Sequence, residues 1–313
     1  MILTVTMNAS VDITYVMDHL DTDGVNRVTH VAKTAGGKGL NVSRVLHQAG
    51  QELMAGGLIG GTTGAYIRRA LEKQGIPCRF LETRTESRNN ISIIHGSHNM
   101  EILEQGNPVA EEDLKAFSAL YEELLKEADT IAISGSLPPG IPEDYYGLMA
   151  EAGKRLGRKV LLDTSGKALK AALASPVKPF LIKPNEKEAE ELTGRTVCPE
   201  DTAGLKEMLL SPVFEDIPWV MISLGAGGAI TKCHDRILLA RVPAVRAVNP
   251  IGSGDSVIAG LAMGLSRKED PETVIRRAMT FGVLNALDET PGHLKMDLYE
   301  DIYRQIDIKE ESR

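Results

Sequence analysis

Short runs of β-branched and aliphatic residues alternate along this chain with longer segments whose apolar positions recur every three or four residues. Apolar, β-rich runs at 2–6, 53–59, 130–134, 159–163, 180–183 and 219–223 predict strands. Helix-like segments near 39–48, 65–74, 111–126, 143–156 and 186–192 separate them. That alternation is the signature of an α/β fold, a mainly parallel, doubly wound sheet flanked by crossover helices. The character then changes to a hairpin-like pair at 229–232 and 237–241, followed by helices near 255–265, 272–287 and 298–305. Two segments, 11–33 and 89–105, do not fit the alternation. In the second, Ile91-Ser92-Ile93-Ile94 and Met100-Glu101-Ile102-Leu103-Glu104 flank the polar His95-Gly96-Ser97-His98-Asn99, which predicts an antiparallel hairpin. Paired with the first segment it would form a small sheet projecting from the main one, a natural lid.

No internal repeat, low-complexity tract or long linker interrupts the pattern, so residues 1–313 are expected to form one domain with the lid segments inside it. A content of 42% hydrophobic and 25% charged residues suits a large core. No apolar run approaches the roughly 20 residues of a membrane span, and residues 1–6 lack a basic region and cleavage site. The expectation is a cytoplasmic protein without a membrane partner. Cys78, Cys198 and Cys233 are odd in number and far apart, which predicts buried or idle thiols rather than disulfides or zinc ligands. The formal charge of −8, with no basic tract and no aromatic cluster, argues against nucleic acid. An anionic ligand must therefore be met by a few locally placed cations.

In doubly wound sheets ligands bind beyond the carboxyl ends of the strands, so residues just after each β-run carry the most functional weight. The most informative such segment is Asn249-Pro250-Ile251-Gly252-Ser253-Gly254-Asp255-Ser256, which runs into a small and apolar helix. Gly252, Ser253 and Gly254 let successive N–H groups converge on one point at a helix start, an anion site. Asp255 lies within reach of that charge and can take a proton from a substrate hydroxyl. The combination suits phosphoryl transfer to an alcohol; the plainer alternative is a Gly-rich turn with an aspartate at the helix start. Ala35-Gly36-Gly37-Lys38-Gly39-Leu40-Asn41 opens another helix, where the backbone can approach a sugar and Asn41 can bond its hydroxyls. In Lys183-Pro184-Asn185-Glu186-Lys187-Glu188 the carboxylate of Glu188 either holds Mg²⁺, directly or through water, or simply favours the helix start. Ser223-Leu224-Gly225 follows a strand and offers a close backbone for a nucleotide, or a flexible loop. Neither a P-loop nor a protein-kinase motif set is present. His95 and His98 sit on a polar hairpin tip with no third metal ligand in view.

Together the segments 36–41, 183–188 and 252–255 resemble the PfkB, or ribokinase-like, family of carbohydrate kinases, over essentially the whole chain. Residues 1–4, 23–28, 33–41, 101–106 and 133–138 are similar to the branch that phosphorylates tagatose 6-phosphate in the lactose pathway, and the 1-phosphofructokinases share many of them. The resemblance implies ATP-dependent, Mg²⁺-assisted phosphorylation of a sugar-phosphate hydroxyl. It implies that Asp255 is the base and that Gly252, Ser253 and Gly254 form the anion hole. By the same resemblance Asp12, Gly37 and Asn41 hold sugar hydroxyls, and Arg27 and Arg88, with Lys38 and Ser136, grip the substrate's phosphate. Asn185 and Glu188 organise Mg²⁺–ATP, Lys183 lies beside the nucleotide, and Ser223 and Gly225 lie along it. Two local departures stand out: Asn8-Ala9-Ser10 where the family usually has Asn-Pro-Ser, and Pro250-Ile251 where many members have Asp-Thr. A homodimer through the lid is expected from the same likeness. From a different class, a catalytically silent sugar-phosphate or nucleotide sensor could use this fold, but a sensor does not need the base at Asp255.

Overall fold

The computed structural model describes residues 1–96 and 98–312; Ser97, at the tip of the expected hairpin, and Arg313 lie outside the described residues. The first part of the chain runs β1 (Ile2–Thr6), β2 (Ser10–Met17), β3 (His30–Gly36), α1 (Lys38–Gln48), β4 (Leu53–Gly60), α2 (Gly61–Lys73), β5 (Cys78–Thr83), β6 (Arg88–His95) and β7 (His98–Leu103). It continues through α3 (Glu111–Glu127), β8 (Thr130–Ser134), α4 (Tyr145–Arg155), β9 (Lys159–Asp163), α5 (Gly166–Ala174), β10 (Leu181–Ile182), α6 (Glu186–Thr193) and α7 (Thr202–Leu209). The last part holds β11 (Trp219–Ser223), β12 (Ala229–Cys233), β13 (Arg236–Arg241), α8 (Ser253–Ser266), α9 (Pro271–Ala286), α10 (Tyr299–Gln305) and β14 (Asp307–Glu311).

The main sheet has the order β14-β13-β12-β11-β10-β9-β8-β1-β4-β5. From β11 to β5 every neighbouring pair is parallel, and β12, β13 and β14 complete one side as antiparallel strands. Alternation along the strands sends residues to two cores. Ile2 joins the layer under α1, α2, α8, α9 and α10, while Leu3 and Val5 join the layer under α3 to α7. Helix α8 is apolar nearly all round because it lies between α1, α9 and the sheet, and its residues 255–265 are buried. Gly260 permits that sandwich, since a Cβ there would stand 2.5 Å from the Ala278 Cα of α9.

The two segments outside the alternation meet in a second sheet of order β3-β2-β6-β7, in which β2 and β6 are parallel and the outer pairs antiparallel. Strand boundaries 2–6, 130–134, 159–163 and 219–223 agree with the sequence reading. The apolar pattern does not mark β5, β14, α5 and α7, and α2 starts at Gly61 rather than near 65. All three cysteines are free: Cys233 is buried, Cys78 half-buried and Cys198 exposed. Among the described residues no helix is long and apolar enough to cross a membrane.

Candidate active site

A cleft of about 1900 Å³ runs along the carboxyl ends of the parallel strands and is closed on one side by a face of the small sheet. At its centre lies the start of α8. Gly252 adopts φ 84°, a left-handed conformation that suits glycine, and a Cβ there would come within 2.9 Å of the Gly292 nitrogen. Among the described residues no side chain caps α8, so its N-terminus offers N–H groups to an anion in the cleft. The turn is held by the buried Asn285, which the sequence reading did not single out. Its Nδ2 donates to the Ile251 carbonyl (2.8 Å), and its Oδ1 accepts from the Gly292 N–H (2.8 Å) and from Ser256 Oγ (3.2 Å).

Asp255 is the third residue of α8 and only 6% exposed. Its Oδ2 accepts a 2.6 Å hydrogen bond from Asn41 Nδ2, and Asn41 in turn accepts from the half-buried guanidinium of Arg44. Burial pushes the Asp255 carboxyl up to about 6, with the charge of Asp163 acting in the same direction. Lys38, the Asn41 bond and Lys183 pull the other way. The result is a carboxylate basic enough to accept a proton yet ionised near neutral pH.

Asp163, at the end of β9, is a functional residue whose only sequence signal is its place at a strand end. It lies between Lys183 Nζ at 3.4 Å and Lys38 Nζ at 3.5 Å. Burial acts to raise its carboxyl, but Lys183 and Lys38 outweigh that and hold it below the usual carboxylate range. Asp163, in turn, raises Lys38 above the ordinary lysine range. Lys183 reaches the anion site as well, because a Cβ on Gly254 would be 3.4 Å from its Nζ. Two cations from α1 and the β10 end thus stand beside an uncapped helix start, where a transferring phosphoryl group needs positive charge.

On the small-sheet side, Asp12 of β2, Gly37, Lys38, Asn41, Arg88 of β6 and Ser136 all line the cleft. Gly36 leaves room for Asp12: a Cβ at that position would fall 2.1 Å from the Asp12 carboxyl carbon. Arg88 Nε donates to the Asn8 carbonyl (3.1 Å) and Nη1 to the Glu104 carbonyl (2.8 Å). Asn8 Nδ2 donates to Ser136 Oγ at 3.2 Å. The loop carrying Ser136 is pinned from below by the buried Tyr146, whose hydroxyl donates to the Gly135 carbonyl (3.0 Å).

Lys183, Asn185, Ser223 and Gly225 line the opposite end. Asn185 caps α6, its Oδ1 accepting from the Glu188 N–H (2.9 Å) while the Glu188 carboxylate accepts from the Asn185 N–H (3.0 Å). Glu188 thus serves the start of α6 through one carboxylate oxygen. Glu188 and Ser253 do not line the cleft, and Arg27 lies exposed on the loop 18–29, also outside its lining. Among the described residues no group of three or more His, Cys, Asp or Glu could hold a metal ion. His95 and His98 pack against each other with ring centroids 5.3 Å apart.

The family model for pfkB family carbohydrate kinases matches residues 5–294. A candidate phosphofructokinase from Staphylococcus aureus is 31% identical over 100% of this chain and 99% of its own, with a TM-score of 0.87. Phosphofructokinase-2 from Escherichia coli, solved in complex with fructose-6-phosphate, is 26% identical over 97% of this chain and 98% of its own, with a TM-score of 0.84. Ribokinase from Arabidopsis thaliana, complexed with ribose and ATP, shares the fold at 19% identity over 97% of this chain and 98% of its own, with a TM-score of 0.77.

Proposed function

This chain belongs to the pfkB family of carbohydrate kinases, and from that premise we propose that its cleft transfers the γ-phosphoryl group of ATP to a hydroxyl of a ketohexose phosphate, D-tagatose 6-phosphate first. The observation that carries the proposal is Asp255: a buried carboxylate pushed up to about 6, set at an uncapped helix start beside Lys183. In the proposed reaction the Asp255 carboxylate takes the proton of the attacking hydroxyl. The helix start built by Gly252, Ser253 and Gly254, in which the Ser253 N–H is itself held by the Pro250 carbonyl, stabilises the charge on the transferring group together with Lys183 and with Lys38, which its ion pair to Asp163 draws here rather than to the substrate's own phosphate. Asp12, Gly37 and Asn41 hold sugar hydroxyls. Arg88 and Ser136 hold the phosphate already on the substrate, for which the arginine fork is well matched.

The nucleotide is placed at the cleft end lined by Asn185, Ser223 and Gly225, where a backbone bridge brings Asn185 and Ser223 together. A magnesium ion needs few protein ligands when it binds together with a nucleotide. Asn185, which lines the cleft, and the carboxylate oxygen of Glu188 left free by the Asn185 N–H would hold it there, Glu188 from outside the lining and through water. A magnesium ion there would supply neutralisation of phosphate charge.

The likeness of residues 23–28, 101–106 and 133–138 to the tagatose 6-phosphate branch supports the substrate named first. The similarity to phosphofructokinases favours a second reading, a fructose phosphate as acceptor. Competition among D-tagatose 6-phosphate, fructose 1-phosphate and fructose 6-phosphate in a coupled ADP-release assay decides between them. A higher kcat/KM for either fructose phosphate would overturn the tagatose assignment and leave the kinase chemistry standing.

The small sheet supports a partner as well. Opposite its cleft-lining face, Tyr15, Val31, Ile93 and Met100 form one cross-strand row and Ile91 and Ile102 the next. Val31, Met100 and Ile102 remain 40–50% exposed, an apolar patch of the kind that marks an interface. We propose that two copies pair through it. In such a dimer Arg27 would be offered to the partner's cleft, the arrangement in which it keeps a role in phosphate binding.

A further inference from the structure

We infer that Asn90 is a positioning residue that fixes the distance between Asp12 and Arg88, so that the sugar-hydroxyl acceptor and the phosphate clamp act as one rigid ruler for a ketose phosphate. The inference rests on the substrate-binding roles proposed above for Asp12 and Arg88. Asn90 lies on β6, one strand repeat from Arg88 and directly opposite Asp12 of the parallel neighbour β2, while Arg88 is opposite Ser10. All four positions point the same way, because side chains two apart on a strand share a face.

The amide of Asn90 is committed at both ends. Its Nδ2 donates to Asp12 Oδ1 and to Ser10 Oγ, each at 3.0 Å, and its Oδ1 accepts from Arg88 Nη1 at 3.1 Å. Ser10 Oγ adds a 2.7 Å bond to the same Asp12 oxygen. Only this orientation of the amide satisfies its neighbours: a carboxylate can only accept and a guanidinium can only donate. The remaining atoms are the ones a substrate needs. Among the described residues neither Asp12 Oδ2 nor Arg88 Nη2 has a hydrogen-bond partner, and both side chains line the cleft. One neutral amide thus spends its donors on the group that reads hydroxyls and its acceptor on the group that reads phosphate. The spacing between the two free ends is set by the strand repeat rather than by flexible side chains. A sugar whose phosphate and hydroxyls do not match that span engages one end only.

The test uses the full-length protein with Asn90→Ala and Asn90→Asp, the latter isosteric and able to accept from Arg88 but unable to donate to Asp12. Steady-state constants are measured for D-tagatose 6-phosphate, free D-tagatose and Mg–ATP, alone and in an Arg88→Ala background. For Asn90→Ala we expect KM for the phosphosugar to rise about tenfold or more, from hydrogen bonds to charged groups. KM for Mg–ATP should stay unchanged, kcat should fall less than KM rises, and the preference for the phosphosugar over free sugar should narrow. Asn90→Asp should not restore the parental KM. Because Asn90 acts by joining Arg88 to Asp12, its effect in the Arg88→Ala background should shrink to about half or less of that in the parent, the remainder being its hold on Asp12. If Arg88→Ala cripples phosphosugar use while Asn90→Ala leaves KM unchanged, the inference fails and the proposed function stands. Fully additive effects, or equal losses for sugar and nucleotide together, would reduce Asn90 to a structural residue and also overturn it. If Arg88→Ala itself leaves the phosphosugar preference intact, the substrate reading falls, and the inference with it.

Discussion

Replacing Asp255 by Asn should make the protein more stable and nearly inactive at once. The side chain is 6% exposed, and burial together with the nearby Asp163 raises its carboxyl from the ordinary 3.8 to about 6. A group whose pKa is higher folded than unfolded binds its proton more tightly in the folded state. Its charge therefore costs stability fully above pH 6, less as the pH falls, and nothing below the unfolded value. A difference of that size is worth about 3 kcal/mol as an upper bound. Asn keeps the shape and can still accept from Asn41, so Asp255→Asn should relieve most of that cost. At roughly 2 °C per kcal/mol for a chain of this size, Tm at pH 8 should rise by about 5 °C, and the gain should fade between pH 6 and pH 4. Turnover of the same variant should fall by about 10²–10⁴, the usual contribution of a general base. Paired melting curves at pH 4, 6 and 8 and a coupled ADP-release assay read both effects. A variant no more stable at pH 8 than at pH 4, with near-parental turnover, would refute both the raised pKa and the role of base.

Four further outcomes follow from the same geometry. The kcat/KM for sugar phosphate should climb about tenfold per pH unit below pH 6 and level off above it, as Asp255 ionises; a profile flat from pH 5 to 8 would speak against it. Gly36→Ala, whose Cβ would strike the Asp12 carboxylate at 2.1 Å, should raise the sugar KM about tenfold and leave the nucleotide KM in place; equal kinetics would mean that Asp12 yields without consequence. Glu188→Gln can still accept from the Asn185 N–H, so α6 should persist while the Mg²⁺ needed for half-maximal rate increases; an unchanged Mg²⁺ titration would confine Glu188 to its cap. Ile102→Lys should convert a dimer measured by light scattering into monomers, and a parental protein already monomeric at high concentration would dismiss the interface.

What the amino-acid order exposed, and what it hid, follows from the range of the interactions. Strands such as Thr130–Ser134 and Lys159–Asp163 are buried on both faces along the apolar runs at their centres, Ile131-Ala132-Ile133 and Val160-Leu161-Leu162, which make them legible. The edge strands Cys78–Thr83 and Asp307–Glu311 are partly exposed and rich in charge, so no run betrays them. Helix α2 starts earlier than its apolar period suggests because Glu86, from the segment leading to β6, accepts from the Thr62 hydroxyl and the Thr63 N–H at its first turn. The same contrast holds in the cleft. Asp255 and its glycines are legible because anion site and base are contiguous. Asp163 acquires its meaning only from lysines brought by α1 and the β10 end, and Asn90 only from a pairing 78 residues away. Arg27 shows the converse, a residue the resemblance assigns to the substrate but which this chain's own cleft does not include.

The central claim, a kinase whose cleft reads the phosphate already on its sugar, is tested most directly by ADP release with Mg–ATP and either D-tagatose 6-phosphate or free D-tagatose. Loss of several charge-assisted bonds at Arg88, each worth roughly 1.5–3 kcal/mol, should leave the free sugar at least about a hundredfold lower in kcat/KM. Arg88→Ala should close most of that gap by crippling the phosphosugar reaction. Equal rates on the two sugars, or no sugar-dependent ADP release with any ketohexose phosphate, would contradict the account.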